Sequence, residues 1–292
     1  MAPALLAAWA LAVVLPGAAL ASTPAPGTAK QVAALVAAST RIQKLSAKLA
    51  AALPTASSDN ASAAYAIPSD CPTAAACVYG DQAASASVVL YGDSHARMWL
   101  PAVDPIVTRH KLRLILIGQD DCPVESLVLP KAFQGCNAAQ PGYIAAINAA
   151  RPRVILISQR TSYPGFTEAA WQSGLTTTIR DLRPSKAKVV VIGDIQVVNL
   201  EVLACLAAFP TKVQRCSTAN PDTYVPGQER AERASAKATT STYVDPTPWL
   251  CTKTRCSPVI GGFIAYWSPY HVSVHYARYL AGVMGAALKA KL

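Results

Sequence analysis

Charged side chains are scarce in this chain: Asp, Glu, Lys and Arg together make up 14% of its 292 residues. That scarcity excludes a solvated disordered polymer, and the 52% hydrophobic content is ample for a packed core. Acid is scarcer than base, 16 residues against 26, which leaves a net charge of +10. The excess suits an anionic neighbourhood such as envelope phosphates or a membrane surface. Basic residues are scattered, with no basic helix or basic-aromatic stripe, so nucleic acid is not expected as a partner. There is no Cys-x-x-Cys knuckle, and the four histidines (His95, His110, His271, His275) offer no matching spacing. Neither a metal nor an organic cofactor is expected.

Residues 1–21 carry no charged side chain at all. Ala19-Leu20-Ala21 before Ser22 fits a small-x-small cleavage pattern, so the segment reads as a signal peptide or, uncleaved, as a membrane anchor. Either places the rest of the chain outside the cytoplasmic membrane. The eight cysteines agree with export. Pairing neighbours (Cys71 with Cys77, Cys122 with Cys136, Cys205 with Cys216, Cys251 with Cys256) would close four short loops, as an oxidising compartment permits.

Residues 22–69 read as a linker followed by an amphipathic helix. Val32, Leu35, Ile42, Leu45, Leu49 and Leu53 recur at helical spacing until Pro54, and residues 55–70 read as a loop. The texture changes near residue 85. Apolar runs at 87–91, 112–117, 154–157 and 189–192 lack alternation, as strands buried on both faces do, and helix-compatible stretches at 144–150 and 168–180 separate them. This order predicts a three-layer α/β/α sandwich with a mainly parallel sheet over residues 70–292, closed by a helix from about residue 273. Residues 200–256 read as a long insertion stapled by two cysteine pairs.

In such sheets reactive groups gather beyond the carboxyl ends of the strands. Ser94 directly follows the run Val88-Val89-Leu90-Tyr91, with Gly92 allowing a tight turn. A serine hydroxyl needs a base within hydrogen-bond reach, and a strand-to-helix turn supplies free N–H groups for an oxyanion. Taken alone, Ser94 could equally cap the following helix. Of the histidines, His95 adjoins Ser94 and is expected to point away from it. His110, between Arg109 and Lys111, reads as solvated, and His275 as helical. His271 sits in a loop that can swing over the sheet edge.

Gly92-Asp93-Ser94-His95-Ala96, followed by Trp99-Leu100-Pro101-Ala102, resembles the first block of SGNH hydrolases. Together with Asp121-Cys122-Pro123, Cys136, Cys251, Cys256 and Tyr270-His271-Val272-Ser273, it is similar to the SGNH domains fused to bacterial membrane O-acyltransferases of the acyltransferase-three family. The resemblance implies Ser94 as nucleophile, His271 as general acid/base, and a flavodoxin-like SGNH sheet. It also implies oxyanion donors at Ser94 and Gly118, with Gln159 standing where the family has asparagine.

The family's aspartate three residues before the histidine is Ser268 here. Three readings follow: a Ser–His dyad oriented by Ser268 or a carbonyl, an acid supplied by Asp245 or Asp194, or a catalytically degenerate domain that binds or scaffolds envelope glycans. The favoured expectation is serine-dependent O-acyl, chiefly acetyl, transfer or ester hydrolysis on an envelope glycan. An acylated carbohydrate or glycan acceptor and a membrane acyltransferase are its expected partners. An α/β-hydrolase elbow at Gly92-x-Ser94-x-Ala96 ranks lower, because that fold builds several strands before its nucleophile.

Overall fold

The computed structural model describes residues 25–128, 133–163, 165–198, 201–219 and 227–292. The leader reading of residues 1–21 lies outside them. Three helices, α1 (Ala29–Ser39), α2 (Ala47–Ala52) and α3 (Ala61–Tyr65), precede two short strands, β1 (Asp70–Cys71) and β2 (Val78–Gly80). Regular alternation follows: β3 (Ser87–Gly92), α4 (Ser94–Arg109), β4 (Arg113–Gln119), α5 (Gln134–Ala150), β5 (Val154–Ser158), α6 (Glu168–Asp181) and β6 (Lys188–Ile192). The remainder holds α7 (Val202–Ala208), β7 (Thr218–Ala219), α8 (Gln228–Ala238), β8 (Thr242–Val244) and β9 (Arg255–Cys256). It closes with β10 (Val259–Ile260), β11 (Phe263–Ile264), β12 (Tyr266–Ser268), β13 (His271–Val272) and α9 (Val274–Leu288).

Strands β4-β3-β5-β6-β8 are parallel in that order, and β1 and β2 both pair antiparallel with β4. Strand β3 is buried along its whole length, which is why its run shows no polar alternation. Successive residues feed opposite layers. Val88, Leu90, Leu114, Leu116, Val154 and Leu156 pack with residues of α4 and α9. Val89, Tyr91, Ile115, Ile117, Ile155 and Ile157 pack with Tyr143 and Ile147 of α5 and Leu175 and Ile179 of α6. The result is a three-layer α/β/α sandwich. The chain winds from β3 out to β4 and then back across to β5, so the order reverses at β3, where such sheets open a crevice.

The four cysteine pairs close as neighbours: Cys71–Cys77, Cys122–Cys136, Cys205–Cys216 and Cys251–Cys256. Among the described residues no helix is long and apolar enough to cross a membrane.

Three expectations need correction. The single helix from Val32 to Leu53 is two, because Gln214 Nε2 donates to the carbonyls of Ser39 (2.9 Å) and Ile42 (2.8 Å), and Leu45 N donates to Pro210 O. Those contacts hold the chain in a bend until Ser46 caps α2. Val32 and Val36 of α1 join the main core. Residues 55–70 are not simply a loop: a 3-10 turn spans Leu53–Ser58, and Asn60 caps α3 by accepting from Ala63 N at 2.8 Å. Residues 200–256 are more than an insertion, since they supply strand β8 of the sheet and helix α8, whose Ser235 Oγ bonds the carbonyl of Gln172 in α6.

Candidate active site

Gly92 ends β3, and its backbone runs against that of β5. A Cβ at position 92 would lie 1.7 Å from the Ser158 carbonyl oxygen, so only glycine permits the approach. Gly118, φ 127°, packs from the β4 side in the same way, where a Cβ would meet Gly92 O at 2.0 Å. The two glycines let three adjacent strand ends converge on one turn.

Asp93 fixes that turn as the N-cap of α4. Its carboxylate is fully buried and accepts from His95 N (2.8 Å), Arg160 N (3.0 Å) and Tyr163 Oη (3.1 Å). Burial raises its proton affinity above the usual carboxylate range, an effect opposed by the His95 charge and by these N–H donors. Ser94 is thereby placed at the first helical position, half-buried. It opens onto a small cavity of about 150 Å³ lined by Asn60, Ser62, Arg97, Met98, Trp267 and His271, among others.

His271 reaches the same cavity from the β12–β13 hairpin. Ser268 and His271 are cross-strand partners around the two-residue connection Pro269-Tyr270, and Val198 N holds the carbonyl of Pro269 at 3.0 Å. His271 Nε2 lies 2.9 Å from Ser94 Oγ, and its Nδ1 lies 2.7 Å from Ser268 Oγ. The Trp267 ring stacks on the imidazole, with centroids 4.9 Å apart and planes at 21°. Burial, reinforced by the His95 and Arg160 charges, lowers His271 from its ordinary value near 6.5 to about 2. The imidazole is therefore neutral. If Nδ1 donates to Ser268 Oγ, Nε2 is free to take the Ser94 proton.

His95 does not meet Ser94; its ring turns into the protein, 1% exposed. It nevertheless comes within 4.9 Å, centroid to centroid, of the His271 ring. Its Nδ1 binds Asp194 Oδ1 at 2.5 Å, and its Nε2 has no hydrogen-bond partner among the described residues. Burial acts to lower its proton affinity, but Asp194 and Asp93 more than offset this and raise it above the ordinary histidine value. His95, with its proton affinity raised by Asp194, thus stands behind a His271 whose proton affinity is lowered.

Several sequence-predicted residues lie elsewhere than expected. Asp194 serves His95, Thr161 N (2.7 Å) and Ile195 N (2.7 Å), not His271. Asp245 pairs with Arg233 at 2.8 Å and caps Thr247 N. Neither can be the acid behind His271. Gln159 is fully buried and committed: its Oε1 accepts from Val124 N at 2.8 Å, and its Nε2 donates to Glu125 and Glu232. It offers no donor to an oxyanion. His110 is exposed, and His275 of α9 pairs with Asp59 at 2.8 Å.

Two features went unread in the sequence, the His95–Asp194 pair and Arg160, whose guanidinium lies 4.2 Å from the Tyr163 ring centroid. No signal in the sequence singles out the Arg160 side chain, since Asp93 binds only the backbone N–H of that residue.

The model of the SGNH domain fused to AT3 domains matches residues 59–286. The chain belongs to this family. Two solved structures are similar to parts of the chain, the first with a shared fold. The periplasmic domain of a lipopolysaccharide acetyltransferase from Salmonella ser. Paratyphi A is 13% identical, with TM-score 0.55, over 70% of this chain and 83% of that one. A peptidoglycan O-acetylesterase is 12% identical, with TM-score 0.40, over 62% and 47%. No curated protein matches the chain. As an SGNH-family member it carries Ser94 and His271 in contact, with a serine in place of the family's aspartate.

Proposed function

We propose that this SGNH domain catalyses O-acyl, chiefly acetyl, transfer or ester hydrolysis on an envelope glycan outside the cytoplasmic membrane, through an acyl-Ser94 intermediate. The observation that carries the reading is the 2.9 Å contact between Ser94 Oγ and His271 Nε2. Ser94 Oγ attacks the ester carbonyl carbon as its proton passes to His271 Nε2, and the carbonyl π pair moves onto oxygen. The tetrahedral species collapses with departure of the alcohol, which takes the proton back from His271, leaving acyl-Ser94. A second hydroxyl, from water or from a glycan, then repeats the steps in reverse.

The cavity beside Ser94, about 150 Å³, suits a short acyl group. Four disulfides fit an oxidising compartment, and the family's fusion to AT3 domains supports a membrane acyltransferase as donor partner. The lipopolysaccharide acetyltransferase domain of similar fold is compatible with a glycan acceptor. One observation favours a second reading, a glycan-binding domain without turnover: the partner of His271 Nδ1 is a hydroxyl, not a carboxylate.

A fluorophosphonate probe and p-nitrophenyl acetate turnover test the proposal on wild type, Ser94→Ala and His271→Ala. Labelling and turnover of the wild type alone are expected. Equal background signal from all three would select the non-catalytic reading.

A further inference from the structure

Gln159 is turned inward, so a side-chain donor that assists the backbone N–H groups at an oxyanion comes from another residue. Two arginines sit on the elements that adjoin Ser94: Arg97 in α4, which lines the cavity, and Arg160 just beyond the end of β5. Arg97 is 2% exposed and fully engaged, donating to the carbonyls of Pro68, Ser69 and Gly118 and pairing with Asp120 at 2.7 Å. Arg160 is placed differently. Its backbone follows β5 and its N–H is held by Asp93, the residue before Ser94. Its guanidinium reaches back toward the β4 side, 3.4 Å from Asp121 Oδ1, just beyond the end of β4. In the sheet β3 lies between β4 and β5, so a side chain joining the ends of those two strands passes over the end of β3, where Ser94 begins α4. The same guanidinium lies 5.8 Å from the ring centroid of Tyr270, the neighbour of His271.

We infer that Arg160 is a catalytic residue, donating a guanidinium N–H to the ester oxygen that becomes negative when Ser94 Oγ adds to the carbonyl carbon. The assignment rests on the proposed acyl-transfer reading and adds to it the donor that Gln159 cannot supply. No proton is transferred in this contact: the oxygen gains the carbonyl π pair, is held while negative, and returns the pair when the leaving alcohol departs. Arg160 suits the task because its existing partner is weak. Asp121 is 70% exposed and the pair is long, whereas the guanidinium is 23% exposed and steadied by the Tyr163 ring. The group is thus preorganised in position and able to change partners. Its charge also helps keep His271 unprotonated, as the nucleophile's base must be.

The test is p-nitrophenyl acetate kinetics on wild type, Arg160→Ala, Arg160→Lys and Asp121→Asn. For Arg160→Ala the expected result is a fall in kcat of about 10²-fold with KM within about twofold of wild type. Arg160→Lys, which keeps the charge but not the fork, should lose about 10-fold. Guanidinium ion at millimolar concentration should partly restore Arg160→Ala and leave Ser94→Ala inactive. Asp121→Asn should keep wild-type kcat or exceed it. If Arg160→Ala does not fold, Arg160→Lys and Asp121→Asn carry the test.

Wild-type kcat in the folded Arg160 variants overturns the assignment. So does a loss confined to KM, which marks ground-state binding of the acceptor. An equal loss in Asp121→Asn also overturns it, because the pair would then only hold the loop. In all three cases wild-type turnover would leave the acyl-transfer reading standing. A wild type with neither turnover nor probe labelling would defeat both together.

Discussion

Ser268 Oγ lies 2.7 Å from His271 Nδ1, the position from which a triad carboxylate would orient the imidazole. The hairpin geometry of a triad is kept here with a neutral side chain in the acidic place. A hydroxyl can fix the ring and its tautomer, but it cannot stabilise the imidazolium that forms when Ser94 gives up its proton. In the proposed mechanism Ser94 and His271 are therefore well placed and weakly driven.

Ser268→Asp should accordingly raise kcat at neutral pH by about 10-fold or more, and Ser268→Ala should lower it by about 3- to 10-fold through loss of orientation. Ester turnover at saturating substrate checks both. Equal rates in all three proteins would mean that His271 needs no help at Nδ1.

If His271 is the base, as proposed, the pH profile should differ from that of an ordinary histidine base. His271 is lowered to about 2, so no acidic limb belongs to it near 6.5, and kcat/KM of the wild type should stay flat down to about pH 5. Ser268→Asp should bring a limb back into the measurable range, because a carboxylate favours the imidazolium. A wild-type limb centred near 6.5 would contradict the lowered value.

His95 and Asp194 form a buried pair, and removing the carboxylate takes away the partner that raises the proton affinity of His95. Asp194→Asn should cost about 3–5 kcal/mol. His95 gains proton affinity on folding, so its contribution is fully present below the unfolded histidine value and is lost as pH rises through the folded one. Thermal melts should therefore show the largest Asp194→Asn deficit at acidic pH and a narrowing gap as pH rises. A deficit that is independent of pH would indicate packing loss alone.

Glu125 and Glu232 share the amide of Gln159, and burial raises both well above the usual glutamate value. Such groups favour the fold fully below the unfolded value near 4.5 and progressively less as pH rises toward the folded one. Glu232→Gln should be more stable than wild type at about pH 8, by roughly 1 kcal/mol, with the advantage gone near pH 4. Chemical denaturation at the two pH values measures it, and an advantage that grows toward acid would reverse the argument.

The parallel sheet was legible because strands such as Val154–Ser158 are buried on both faces, and burial on both faces writes itself as an unbroken run of Val, Ile and Leu. Strand β8 escaped because Thr242-Tyr243-Val244 is too short and too polar to show that signature. The bend between α1 and α2 was hidden because its cause, Gln214, lies far along the chain. Ser94 and His271 could be found from a motif at each end of the domain. The partners of Asp194 and Gln159 could not, since each is decided by which strand ends the fold sets side by side. Asp194 contacts a histidine 99 positions away.

In the proposed mechanism Ser94 carries an acyl group during turnover. Wild type quenched during steady-state p-nitrophenyl acetate turnover, then digested and analysed by mass spectrometry, measures this directly. One added acetyl group is expected on the peptide holding Ser94, and none in Ser94→Ala. Turnover without any acylated Ser94 peptide, or acetyl found equally in Ser94→Ala, would contradict it.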